Sequence, residues 1–523
     1  MRLRAICTLT SLLLCAPQVS AQFDPSGSQY ISIDRMSADP LGFFQPSRNV
    51  SSLIGGDFDR DGVIDLAIGL YRTNLTDGFG DITVLAAGSV HIFFGAPDKF
   101  SEDGQRFVPP PNPVNQNDFF GDSLAVGNVD GSGTNLAIGM YLDQVGSVDN
   151  AGSVLILYSN QSGLDYSSAE LWNQDTPGVS GASEPFDDFG DAVALGDFDA
   201  DGFDEMVVGV PGEAIGTIDN AGIVNVLIGT PGGLSTTGAF SIRSDSDNVP
   251  GTVETLDLFG DTLAVGNFDC DAYEDLALGA RGEAIGTETG AGGVWVFYGS
   301  SIGLDSTSEQ PRRVDVWNQD SSGIKGTSEE GDAFGGALVA GDFNGDGCDD
   351  LAIGAYGEAV DSNKVADAGA VAVIYGSQAG LVSAGDELWT EDDLGPGISA
   401  GFRARFGWAL SAADFNKDGF EDLVASSPGQ VRVSILYGSE NGLLAQTAST
   451  WTATRAGTED CELMASDGFG NALATADWNR DGLPDLAVAS QLGVHVLFNN
   501  GSLDIFQDRF EAASETRQST VCL

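Results

Sequence analysis

GDFDRDGVIDLAIG, residues 56–69, returns with variations six more times along the chain. The copies read GNVDGSGTNLAIG at 127–139, GDFDADGFDEMVVG at 196–209, GNFDCDAYEDLALG at 266–279, GDFNGDGCDDLAIG at 341–354, ADFNKDGFEDLVAS at 413–426 and ADWNRDGLPDLAVA at 476–489. Their starts lie 71, 69, 70, 75, 72 and 63 residues apart, so one supersecondary unit repeats over most of the chain.

Each unit reads as four strands. A Phe-Gly pair opens all but the first: Phe120-Gly121, Phe189-Gly190, Phe259-Gly260, Phe334-Gly335, Phe406-Gly407 and Phe469-Gly470. A short strand follows, then the acidic loop, then the apolar "DLAIG" run as a second strand. The third strand follows an Ala-Gly, as in Ala151-Gly152 before SVLILY. The fourth carries Trp172, Trp317, Trp389 or Trp451. Radially repeated four-stranded units describe a propeller. The expected fold is therefore all-β, a seven-bladed β-propeller spanning 49–498. Its seventh unit stops after three strands near Phe498. The ring is expected to close with Tyr30-Ile31-Ser32-Ile33, from the 22–48 segment, as the missing strand.

These features resemble the FG-GAP repeat, which builds the N-terminal propeller of integrin α chains and occurs in glycosylphosphatidylinositol-specific phospholipase D. The resemblance rests on Phe-Gly, the acidic loop and the Gly-x-Pro-Gly at 209–212, and covers about residues 49–498. It implies a calcium-binding propeller without a catalytic site of its own.

The loops support that reading by their oxygen count. A calcium ion takes six to eight oxygens from a flexible loop. Asp57, Asp59, Asp61 and Asp65 stand at positions 1, 3, 5 and 9 of the first loop, and Gly62 at position 6 permits the tight turn. The corresponding sets are Asp197, Asp199, Asp201 and Glu205 in blade 3, and Asn267, Asp269, Asp271 and Asp275 in blade 4. They continue as Asp342, Asn344, Asp346 and Asp350 in blade 5, Asp414, Asn416, Asp418 and Asp422 in blade 6, and Asp477, Asn479, Asp481 and Asp485 in blade 7. Five or more Ca2+ ions are expected. Blade 4 is the weaker candidate because Ala272 replaces the turn glycine, where a Cβ at positive φ is costly. Blade 2 offers only Asn128, Asp130 and Ser132, and is expected to be empty or weak. An EF-hand is excluded, because position 12 is Ile68, Val208, Leu278 or Ile353 rather than a bidentate Glu.

Charge and chain ends point outside the cell. The 77 Asp and Glu against 22 Lys and Arg leave no basic surface for nucleic acid. Arg2 and Arg4, the apolar run from Ile6 to Leu14 and Val19-Ser20-Ala21 read as a signal peptide over 1–21. No later stretch is long and apolar enough to span a bilayer. Residues 499–523 read as a tail. Of the remaining cysteines, Cys461 and Cys522 are expected to pair, whereas Cys270 and Cys348, in loops of neighbouring blades, are expected to lie too far apart.

No catalytic constellation emerges. His91 and His495 fall in third strands, and Gly299-Ser300-Ser301-Ile302-Gly303 fits the hydrolase elbow but is one copy of a recurring YGSxxGL turn. The expectation is a secreted or cell-surface, non-enzymatic adhesion or ligand-binding module. A glycan-binding lectin and a hydrolase-associated propeller are the alternatives. Its partner, an extracellular protein or glycan, is expected on the face opposite the acidic loops. Glu213, Glu283 and Glu358 recur there, either as an acidic arc or as caps of their own turns.

Overall fold

The DLAIG runs form strands because their β-branched and aliphatic residues fit a pleated surface that is covered on both sides. All seven second strands, from Asp65–Leu70 to Asp485–Ser490, are buried along their whole length. The fourth strands lie at the rim and are only partly buried. Ser235–Ile242, for example, shows exposed residues in its middle and buries Ile242 at its end. The computed structural model describes residues 22–23, 28–32, 44–45 and 50–499 except 77–81, 97–99, 102–103, 110–116, 305–312, 361–364, 396, 453–467 and 492. Residues 1–21, the expected signal peptide, and 500–523 of the expected 499–523 tail lie outside the described residues, as do Cys461 and Cys522.

The chain is a seven-bladed β-propeller. Blade 3 shows the plan: Val193–Gly196, Glu205–Val210, Ile223–Ile228 and Ser235–Ile242, each antiparallel to the next. First strands of adjacent blades touch one another around the ring and so line its centre. Seven apolar clusters fill the junctions between blades. In one, Trp478 of blade 7 packs with Leu66, Ile68 and Phe93 of blade 1. Burial of a side chain of this size stabilises by about 2–3 kcal/mol, so the ring closes on packing as well as pairing.

Close blade contact explains the glycine that ends most DLAIG runs. A Cβ on Gly139 would strike the carbonyl of Gly190, in the Phe-Gly pair of the next blade. Gly190 itself sits at φ 92°, which a side chain would strain.

Ring closure follows the expectation, with an addition. Ser28–Ser32 pairs antiparallel with Gly493–Leu497 of blade 7, placing Ile31 opposite Val494. Gln22–Phe23 then pairs outside it as a fifth strand. A second small sheet joins Phe44–Gln45 to Asn74–Thr76 and Ile82–Val84, in the long connection after the second strand of blade 1.

Candidate metal loops and the opposite face

In five of the acidic loops the first Asp organises the turn through backbone amides. In blade 1, Asp57 Oδ1 accepts from the Asp61 N–H at 3.1 Å and Oδ2 from the Gly62 N–H at 3.1 Å. Asp59 accepts from the same Asp61 N–H, and Asp61 Oδ1 from the Val63 N–H. The pattern recurs on Asp197, Asp342, Asp414 and Asp477. Each carboxylate thus turns inward while keeping an oxygen or a lone pair for a cation. Ligand oxygens of Asp57, Asp59 and Asp61 lie within 4.8 Å of one another, as do those of Asp197, Asp199 and Glu205.

The ninth position is buried and doubly anchored. Asp350 Oδ2 accepts from the Phe343 N–H at 2.9 Å and Oδ1 from the Gly376 N–H at 2.8 Å, which ties the loop to the end of strand three. Asp65, Asp275, Asp422 and Asp485 do the same. Burial, against these amides, pushes Asp350 and Asp485 up to about 8 and Asp65, Asp275 and Asp422 up to about 7. Neighbouring loop acids add to the effect. Glu205, one methylene longer, uses only Oε2, for the Phe198 N–H; its Oε1 is buried without a hydrogen-bond partner. Burial pushes Glu205 up to about 8. An orphaned carboxylate oxygen beside Asp197 and Asp199, in an all-oxygen donor set, fits a hard divalent cation.

Two loops depart. In blade 4, Ala272 is not among the residues at positive φ, so the turn is built differently rather than strained. Asn267 donates through Nδ2 to the Asp271 carbonyl at 3.0 Å, and Arg313 Nη1 lies 2.9 Å from Asp269 Oδ2. In blade 2 a guanidinium from the preceding blade arrives: Arg60 donates to Ser132 Oγ at 2.9 Å and Ser159 Oγ at 3.1 Å.

Arg60 illustrates a wider rule. Position 4 sits in the left-handed region in Arg60, Ala200, Cys270, Lys417 and Arg480, at φ between 55° and 60°. Lys417 Nζ comes within 3.0 Å of where a Cβ on Gly482 would stand, one blade on. Cys270 obeys the same geometry and is disulfide-bonded to Cys348, with Cα atoms 4.7 Å apart. This corrects the expectation that the two lie too far apart. Equivalent loops of neighbouring blades are side by side on one face, and position 4 of one reaches position 7 of the next.

Position 8, not singled out in the sequence, links the loops again. Asp204, Glu274 and Asp349 accept from the N–H of Asn128, Asp197 and Asn267 in the preceding blade, at 2.7, 2.7 and 2.8 Å. Their own amides donate back to the same residues' carbonyls, as Glu421 does to Asp342. The acid doublets Asp204-Glu205, Glu274-Asp275, Asp349-Asp350 and Glu421-Asp422 were the visible signal.

The opposite face carries the tall loops after second strands, pinched by pairs such as Val145 with Val148 and Ile215 with Ile218. Glu213 and Glu358 do not form an open acidic arc. Each is half-buried and accepts from a glutamine of the preceding blade, Gln174 at 2.7 Å and Gln319 at 2.6 Å. Phe186, Leu256 and Phe402 stand exposed at 60, 54 and 65 %, just before Phe-Gly pairs. Phe186 and Leu256 hold φ of 70° and 71°, a strained state for such side chains. Nearer the axis, Phe-Gly-Asp places Asp122, Asp191 and Asp261 at the start of three adjacent first strands. Burial first, then Asp261 and Asp122, raises Asp191 well above the usual carboxylate range. Arg281 pairs with Asp261 at 2.9 Å. Residues after Phe-Gly were legible as a variable position, Asp in three blades and Gly336, Trp408 and Asn471 in others, but were passed over.

The residues set aside as non-catalytic lie in structural settings. Burial lowers His91 to about 3 and His495 to about 4. Ser300 Oγ donates to the Gly303 carbonyl at 2.9 Å, as Ser377 does to Gly380 and Ser439 to Gly442, so it closes a turn. Trp172, Trp317 and Trp389 pack into the junction cores.

Comparison with known proteins agrees with this architecture. The FG-GAP repeat matches residues 189–227 and 334–374, and the FG-GAP-like repeat residues 414–488. Phosphatidylinositol-glycan-specific phospholipase D of Rattus norvegicus is 35% identical over 172 residues, 32% of this chain and 18% of that protein. Integrin alpha-IIb of Homo sapiens is 31% identical over 218 residues, 40% of this chain and 18% of that one. The chain thus spans less than a fifth of the length of these relatives. Virginiamycin B lyase from Staphylococcus aureus superposes with a TM-score of 0.44 at 9% identity, over 87% of this chain and 97% of that one, too distant a likeness to carry an argument. The matched repeats, the seven radial blades and the Phe-Gly pairs between them show that this chain carries FG-GAP repeats and is similar to integrin alpha chains and to the phospholipase D.

Proposed function

We propose that this chain is a secreted, non-enzymatic ligand-binding or adhesion module that binds Ca2+ on one face and a partner on the other. The ions occupy the loops of blades 1, 3, 5, 6 and 7, where Asp or Asn at positions 1, 3 and 5 and an acid at position 9 supply oxygens. The observation that carries this reading is the inward set of Asp197, Asp199 and Glu205, with Glu205 Oε1 buried and unpaired. Blade 4 and blade 2 stay empty: in blade 4 Asn267 turns its amide nitrogen to the Asp271 carbonyl and Arg313 takes Asp269, and in blade 2 Asn135 stands where the other loops have a closing acid.

The partner, an extracellular protein or glycan, docks opposite the loops. Exposed Phe186, Leu256 and Phe402 on a rigid ring support that choice, the first two held out at a backbone cost, since exposed apolar groups mark contact surfaces. Kinship with integrin alpha-IIb and the lack of any described helix apolar enough to cross a membrane fit an extracellular setting. The test is capture from native extracellular material in calcium, with glycan and protein arrays in parallel. Capture that survives replacement of Phe186 and Phe402 by Ser, but fails when the loop face is altered, defeats the choice of face. An active hydrolase in a substrate panel defeats the non-enzymatic reading.

A further inference from the structure

At the described junctions between blades 2 and 3, 4 and 5, and 5 and 6, the turn leaving strand four meets the next blade on the partner face. Between blades 2 and 3, Gln174 Nε2 donates to Glu213 Oε2 at 2.7 Å. Between blades 4 and 5, Gln319 Nε2 donates to Glu358 Oε2 at 2.6 Å. Between blades 5 and 6 the charges are exchanged: Glu391 holds the glutamine's place and accepts from Arg432 Nη1 at 2.8 Å. All three junctions give a carboxylate, half-buried in Glu213 and Glu358 and buried in Glu391, a donor.

Between blades 3 and 4 the carboxylate is there and the donor is not. Ser244 takes the glutamine's place, seven residues before Gly251 as Gln174 is before Gly181 and Gln319 before Gly326. Glu283, Asp257 and Ser244 are 8, 1 and 1 % exposed. Glu283 Oε2, Asp257 Oδ1 and Ser244 Oγ have no hydrogen-bond partner. Asp257 Oδ2 is taken by the Glu254 N–H at 2.6 Å. The indole of Trp295 packs beside Ser244 at one edge and Glu283 at the other. A Cβ on Gly251 would stand 3.4 Å from both Ser244 Cβ and Trp295 Cζ2, and one on Gly293 would stand 3.1 Å from Trp295 Cζ3 and 3.5 Å from Glu283 Cγ. Burial, with Asp257 and Glu254 adding like charge, pushes the Glu283 carboxyl up to about 8. Buried carboxylates without donors are costly unless something pairs them.

We propose that this junction is a cation site, in which Glu283, Asp257 and the Ser244 hydroxyl hold a divalent ion of the calcium class where the sister junctions hold an amide. Oxygen donors alone, two of them carboxylates, select a hard ion, whose charge cancels theirs. The site lies on the face away from the acidic loops, so it is counted separately from them.

The test uses the whole chain in millimolar calcium and counts ions by native mass spectrometry, with Tb3+ luminescence excited through tryptophan as a second readout. Ser244→Gln supplies the missing amide, and Glu283→Gln removes a ligand without changing shape. Wild type should hold one ion more than either variant and give a stronger tryptophan-sensitised Tb3+ signal than both. Equal counts in wild type and in either folded variant overturn the proposal. Should the acidic loops hold no calcium while this difference of one persists, the loop reading fails and this site stands.

Discussion

The loops of blades 4 and 5 carry similar sets of acids and amides, are neighbours in the ring and are disulfide-bonded to each other, yet they are built differently. In blade 5, Asp342 gathers the N–H groups of Asp346 and Gly347, each at 3.0 Å, with Gly347 at φ 92°. In blade 4, Ala272 keeps the backbone out of that turn, Asn267 presents its amide nitrogen instead of its oxygen, and Arg313 meets Asp269. Counting oxygens in a sequence treats the two as near equals. One side chain at the sixth position and one guanidinium from the fourth strand separate them.

The contrast breaks most visibly if calcium is withdrawn. Five sites at ten times their dissociation constant add about 1.4 kcal/mol each by mass action, about 7 kcal/mol together. Calorimetry in excess chelator should therefore show a large fall in melting temperature, and an unchanged melt removes the loop sites from consideration. Next in size is the bond between the two loops. Cys270→Ser with Cys348→Ser should cost about 2–4 kcal/mol in urea unfolding, the usual range for losing a native disulfide. Peptide mapping under non-reducing conditions should recover the Cys270–Cys348 pair. A free Cys270 contradicts it.

Single loops give smaller effects. Asp346→Asn should remove one ion, about 1.4 kcal/mol at the same saturation, while Ser132→Ala should remove none. Ala272→Gly with Arg313→Ala should add an ion to blade 4. If that variant counts the same ions as wild type by native mass spectrometry, the difference between the blades lies elsewhere. A pH-dependent effect is expected on the partner face. Burial pushes Asp188 up to about 7. The folded chain then keeps a proton that the unfolded chain releases near the ordinary Asp value of about 3.9. The folded state thus binds more protons between about pH 4 and 7, and this contribution to stability falls as pH rises through that window. Asp188→Asn, which suits the residue's φ of 60°, should match wild type at pH 4 and exceed it at pH 8. A stability difference that does not change with pH refutes the assignment.

Much of the architecture was legible because a propeller writes its period into the chain. Phe-Gly, the loop and DLAIG recur in register, and the incomplete seventh unit told where the ring must be closed. Ile31 opposite Val494 is that closure. The turn of the loops was readable too, since an Asp at position 1 that caps the amides of positions 5 and 6 is local chemistry. What escaped were contacts between blades. Cys270 and Cys348 are 78 residues apart in sequence, and only the side-by-side stacking of equivalent loops brings them within bonding reach. The sequence left Glu213 and Glu358 open between an acidic arc and caps of their own turns, and only Gln174 and Gln319 beside them show their partners.

The sequence by itself determined the repeat, the number of blades, the closing strand and the set of oxygens in each loop, because these depend on local turn chemistry and on a two-residue strand period. Tertiary structure alone decided which carboxylates have partners. Arg60, Arg313 and the position-8 acids act across a junction, and Ser244 leaves Glu283 unpaired for the same reason. A residue's neighbour one blade away is about seventy positions distant in the chain, where no local pattern records whether the side chains that meet are complementary.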